Sequence, residues 1–200
     1  MKMTETPYLR FPSGKGGGRS FLKERSGSAA VEFAILILPF LMVVFALIET
    51  SVAFAGEQLL ANATEVMARK LRTGEITTTT SQAEFRRQFC TEIAAMMTCS
   101  SSEVDTPEKL FLDVRSFKDF ASLPEAVPRI GNAPDGDLDT SQFAYAPGGS
   151  GAINIVRAYY RWRVVTDLVR PYITNLRPAG SSRPRDYLMV ATTAFRTEKY

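Results

Sequence analysis

Histidine is absent from the 200-residue sequence, and cysteine occurs only twice. The first absence removes the commonest general base and the commonest metal ligand. It also rules out Ser-His and Cys-His nucleophile pairs. Two cysteines cannot by themselves form the usual tetrahedral zinc site. The spacing of Cys90 and Cys99 carries neither a redox nor a zinc signature. No Walker motif and no dinucleotide fingerprint occur, and Gly148, Gly149, Ser150 and Gly151 lack the Lys-Ser/Thr that a phosphate loop needs. Asp135, Asp137 and Asp139 resemble part of a calcium loop, but the residue twelfth from Asp135 is Ala146 where an EF-hand has glutamate. These three read as turn residues. No catalytic, cofactor-binding or metal-ligating residues are expected, and an enzyme is not the favoured reading.

Charge is also missing where it would matter. The formal net charge is +3, but residues 1–27 carry six basic side chains against two acidic ones, a net of +4. The remaining 173 residues carry 18 and 19, a net of −1. The basicity belongs to a Gly/Ser-rich leader expected to be flexible. Arg157, Arg161 and Arg163, interleaved with Tyr159, Tyr160 and Trp162, imitate a nucleic-acid surface. The near-neutral remainder argues against that partner.

Phe33 to Ile48 is a sixteen-residue run with no charge, inside the apolar stretch 28–56. About 20 helical residues cross a hydrocarbon core of ~30 Å, so one transmembrane helix is expected at 28–56. The stretch is long for a cleavable secretory signal, and only weak small-x-small sites follow it. The basic leader places the N-terminus in the cytoplasm. Pro39 should kink the helix. Glu32 and Glu49 are costly in hydrocarbon. They either snorkel to the two interfaces or are paired, and for Glu32 the context favours a role.

Apolar periodicity through Leu59, Leu60, Ala63, Val66, Met67 and Leu71 carries the helix to about residue 72, with Gly74 as its stop. Ser81 and Glu84 fit a capping box for a second helix, with Phe85, Phe89, Ile93, Met96 and Met97 on its apolar face. Cys90 and Cys99 form a candidate disulfide if the compartment is oxidising; two free buried thiols are the alternative. Nine residues of straight helix would hold them roughly 13 Å apart, so pairing requires the helix to end by about Ala95 and the chain to turn back. Strands are expected at 109–116, 152–162 and 187–195. Residues 117–151 read as loop, and 164–176 as a short helix or turn containing Pro171. The second strand presents one apolar-aromatic face and one arginine face. The expected fold is α+β, a long N-terminal helix on a small antiparallel sheet. The expected segments are a leader at 1–27, a transmembrane helix at 28–56 and a head at 57–200.

Gly27, Ser28, Ala29, Ala30, Val31, Glu32 and Phe33 follow the basic leader. A basic leader, a glycine, and a glutamate as fifth residue of an apolar helix resemble a type IV prepilin processing site. The longer run from Arg25 to Glu49 resembles the TadE-like family of the tight-adherence (Flp) pilus system, with Phe33 where relatives often have Tyr. Residues 112–117, 156–160 and 191–198 resemble blocks of that family's ectodomain. The resemblance implies a pilin-like fold and a pseudopilin or minor-pilin-like component that acts in pilus assembly through helix packing and protein docking. Gly27, Ser28, Glu32 and Phe33 would be the processing determinants for a prepilin peptidase. Other implied partners are pilins, further assembly components and the membrane, with homo- or hetero-oligomers allowed. The implied location is the bacterial inner membrane with a periplasmic head; incorporation into the surface pilus stays open. The alternative is an anchored periplasmic enzyme or ligand-binding module unrelated to pili.

Overall fold

The structure is a computed structural model that describes residues 25–131, 133–167 and 169–199, with side chains from residue 29 onward. The leader up to residue 24, and hence most of the expected processing leader, lies outside the described residues. The chain divides into two units, Met1–Leu41 and Met42–Tyr200.

Helix α1 spans Arg25–Thr73 and contains Pro39. It ends at Gly74, whose φ of 80° places it in the left-handed region that glycine enters without penalty. Ile76 N–H then reaches back to the Lys70 carbonyl at 3.0 Å and Ile76 is buried, which seals the helix end. Helix α2 spans Gln82–Ile93. Its cap is Ser81, whose side chain accepts from Glu84 N–H at 3.2 Å. Glu84 contacts Gln88 and Arg87 within its own helix. A four-residue helix α3, Arg170–Ile173, has Pro171 in its first turn.

The strands are β1 (Leu110–Phe117), β2 (Tyr145–Ala146), β3 (Ile153–Arg163) and β4 (Asp186–Arg196). The sheet order is β2-β1-β3-β4. β3 is central and antiparallel to both neighbours, with Leu110 opposite Tyr160 on one side and Ile153 opposite Arg196 on the other. β2 runs parallel to β1, with Val114 opposite Tyr145, so the sheet is mixed rather than wholly antiparallel. A two-residue strand has too few side chains to show alternation, which is why the sequence leaves 145–146 in a loop.

In the second unit, Ala53, Leu60, Ala63, Met67 and Leu71 of α1 join Phe85, Phe89 and Ile93 of α2. They cover one sheet face, built from Leu110, Leu112 and Val114, then Val156, Ala158 and Tyr160, then Met189, Ala191 and Phe195. The recurrence on α1 is the three-and-four spacing of a buried helical stripe. Beyond the end of α2 at Ile93, Met97 is in the core as expected and Met96 is exposed. Every β3 position from Ile153 to Tyr160 is buried. The second sheet face is therefore covered too, by Leu138, Leu176, Val127 and Phe143, which pack on Tyr159, Leu188 and Phe111. Phe143 stacks on Tyr159 at 4.9 Å.

Candidate functional site

The apolar part of α1 is the most distinctive surface of the chain. In the first unit Val31, Phe33, Ile35, Leu36, Leu38 and Phe40 are all exposed. In the second unit the exposure continues through Val43, Phe45, Leu47 and Ile48. Among the described residues one helix is long and apolar enough to cross a membrane, and this is it. A water-exposed apolar stripe of this length needs a covering solvent or partner. Gly27 and Ser28 lie in the first turns of α1, and Glu32 and Phe33 follow on its exposed surface.

Glu49 closes the apolar run, and the structure gives it a definite function. Its carboxylate accepts Val165 N–H at 2.6 Å and Thr166 N–H at 3.0 Å. These two amides belong to the chain leaving β3, where no ladder partner remains for them. A carboxylate binding two backbone donors is a strong, charge-assisted arrangement. Arg170 supports the same turn, donating to the Val164 carbonyl at 3.3 Å and pairing with Asp167 at 2.6 Å. Glu49 is therefore a clamp between α1 and the β3–β4 connection. This clamp lies eight residues upstream of Glu57.

Two more glutamates of α1 hold β4. Glu57 accepts the Tyr187 hydroxyl at 2.6 Å, and Glu65 accepts Thr193 Oγ1 at 2.8 Å. Burial first, and then the Glu57 carboxylate, push the Tyr187 phenol up to about 12. Gly56 directly precedes Glu57 on the same helix. A Cβ there would stand 3.1 Å from the Met189 methyl and 3.3 Å from the Met97 methyl, so the absent side chain sets the closeness of helix and sheet.

Cys90 and Cys99 are joined by a disulfide with their Cα atoms 5.8 Å apart. The separation is possible because α2 stops at Ile93 and the Met96 and Met97 amides turn back onto the Ile93 carbonyl. The bond fixes the turn that delivers the chain to Glu103. That side chain is buried, and its Oε1 accepts three backbone amides, from Glu108, Lys109 and Leu110, at 2.9, 2.8 and 2.7 Å. Arg86 of α2 donates to the Leu110 carbonyl at 2.6 Å. Burial lowers the Arg86 pKa, and the nearby Glu103 carboxylate opposes that shift. Sequence reasoning misses Glu103 and Arg86, since their partners are unremarkable backbone atoms.

Of the three β3 arginines, Arg157 is buried and Arg161 half-buried, while Arg163 at the strand end stays exposed. Arg157 donates to the carbonyls of Glu125 and Ala126 at 3.2 and 3.1 Å. Arg161 pairs with Asp137 at 2.7 Å and lies 4.9 Å over the Phe111 ring. Asp135 pairs with Arg177. These arginines and aspartates fasten loops to the sheet, and they are committed to one another. Among the described residues no group of three or more His, Cys, Asp or Glu side chains is placed to hold a metal ion.

Residues 27–69 match the family model described as TadE-like protein. The match begins at Gly27, covers the exposed apolar run and Glu49, and ends within α1. The three resemblances at 112–117, 156–160 and 191–198 lie outside it. No curated protein and no solved structure matches the chain.

Proposed function

We propose that the chain is a pseudopilin or minor-pilin-like component for assembly of a tight-adherence pilus, anchored by α1 and acting through helix packing and docking of its head. The observation that carries this reading is the TadE-like match over 27–69, which coincides with the exposed apolar stretch of α1. The role is structural rather than catalytic. In this reading residues 1–27 stay in the cytoplasm, because Lys and Arg flanking a span resist translocation. The head then occupies the periplasm, an oxidising compartment suited to the bond between Cys90 and Cys99.

A prepilin peptidase would cut between Gly27 and Ser28. Glycine there lets the enzyme approach the backbone closely. The first turn of a helix has unpaired amides and opens at low cost. After the cut, Glu32 would be the fifth residue of the mature chain. Its carboxylate would receive the amino group of an adjacent subunit, which offsets the cost of placing charge in hydrocarbon. N-terminal sequencing of the chain from cells with an intact assembly system tests this. A start at Ser28 is expected; a population starting only at Met1 ends the processing reading. Gly27→Leu should retain the leader. Glu32→Ala should be cut normally yet assemble fewer pili, and unchanged surface pili would remove its assembly role.

A further inference from the structure

The turn clamped by Glu49 carries two side chains that the fold leaves outside. Val165 is 82 % exposed and Tyr172 is 87 % exposed, more than any other large apolar side chain described. Both project from the segment between β3 and β4, whose position along α1 is set by the two hydrogen bonds to Glu49. Glu49 directly follows the exposed apolar residues Phe45, Leu47 and Ile48. Exposure continues past Glu49 at Val52 and Phe54, so whatever covers this part of α1 reaches the height of Val165. A groove adjoins this turn, lined by Arg170, Pro171, Thr174 and residues 181–185. Asp167 neutralises Arg170. Arg183 and Arg185 are exposed on the groove's rim; among the described residues neither forms a salt bridge, although Asp186 lies within electrostatic range of Arg185. Ser182 adds a hydroxyl to the same groove, while the Ser181 hydroxyl donates to the Arg183 carbonyl at 2.8 Å.

We propose that the segment 164–173 and the basic groove beside it form a second membrane contact, which seats on the bilayer surface and binds the phosphate of an anionic phospholipid headgroup. This rests on the reading of α1 as a membrane span. Continuity selects the occupant: a loop fixed by its own backbone at the end of an apolar span meets the headgroup layer. An aromatic and an aliphatic side chain with arginines behind them suit that layer, where one end is apolar and the other charged. Arginine matches phosphate in a planar, bidentate manner, and the Ser182 hydroxyl supplies a further donor. Each arginine near an anionic surface favours contact by about fivefold. The contact fixes the head's tilt on the membrane and so sets which of its faces meets other components.

Because both native cysteines are bonded to each other, one introduced thiol can carry a fluorophore in the full chain. Val165→Cys, Tyr172→Cys, Leu41→Cys and Ser141→Cys are labelled separately. Each is reconstituted into vesicles of phosphatidylcholine, with or without phosphatidylglycerol, carrying a headgroup-level nitroxide quencher for 165, 172 and 141 and an acyl-chain nitroxide quencher for 41, which lies in the middle of the span. Quenching is expected at 165 and 172, stronger with phosphatidylglycerol, and absent at 141. Adding Arg183→Ala and Arg185→Ala to Tyr172→Cys should remove most of the phosphatidylglycerol dependence. Quenching at 41 with none at 165 and 172 overturns the second contact and leaves the span intact. Absence at all three positions overturns the span reading along with it. Equal quenching in both lipids, or its abolition by inorganic phosphate, overturns the headgroup assignment. Quenching that disappears as protein density rises makes a second copy the occupant, which also overturns it.

Discussion

At the residue scale, single carboxylates hold much of this fold together, and they do so by accepting backbone amides. Glu103 is the clearest case. One oxygen receives three N–H groups at the entry to β1, in a site closed to water. Removing it strands those donors, and each charge-assisted bond is worth roughly 1.5–3 kcal/mol. Glu103→Ala should destabilise the detergent-solubilised chain by about 3 kcal/mol, with Glu103→Gln intermediate, as measured by chemical unfolding. Tyr187 gives a pH signature. Its folded pKa is raised from 10 to about 12, so the folded state holds the proton more tightly than the unfolded chain. The stability linked to this group is complete below pH ~10 and declines as pH rises toward ~12. Tyr187→Phe should flatten that part of the thermal-stability profile. Tyr145, also raised to about 12 by burial, keeps a residual slope in the variant.

At the scale of elements, helix–sheet contact depends on Gly56. The nearest atoms are the mobile ends of Met189 and Met97, which can yield a few tenths of an ångström. Gly56→Ala should therefore change stability by less than about 1 kcal/mol, the strain offset by improved helix propensity. Gly56→Leu overpacks the crossing and should cost about 2 kcal/mol in the same unfolding assay. The elements themselves were largely legible. Helical spacing located α1 and α2, Gly74 and Ser81 marked a stop and a start, alternation located β3, and 109–116 and 187–195 read as strands that became β1 and β4. All of these signals lie within a few residues of what they determine. The burial of β3 on its arginine face was not legible. It follows from Arg157 reaching carbonyls at 125 and 126 and Arg161 reaching Asp137. A loop rich in proline and glycine does not announce such distant anchors. The same holds for Glu49, whose partners at 165 and 166 lie more than a hundred residues away. From sequence it was a charge near the end of a span; only the fold shows that it holds a turn.

At the scale of the whole chain, the basic excess is confined to residues 1–27, and in the proposed reading it sets the topology. Replacing Lys2, Arg10, Lys15, Arg19, Lys23 and Arg25 with Gln should yield a mixture of orientations in the membrane. Labelling of Ser141→Cys by an impermeant maleimide in spheroplasts would fall from nearly complete to partial; labelling unchanged by the substitutions would place the topogenic signal elsewhere. The order of the elements has another effect, on the timing of folding. The stripe of α1 from Ala53 to Leu71 is covered partly by β4, which is made more than a hundred residues later. The end of α1 is also tied there, where Glu198 N–H meets the Arg72 carbonyl at 2.9 Å. Such distant pairing makes closure slow. Throughout synthesis the stripe remains available to β4 of another copy as readily as to its own. At high local density the chain therefore faces a contest between closing on itself and exchanging strands with a neighbour.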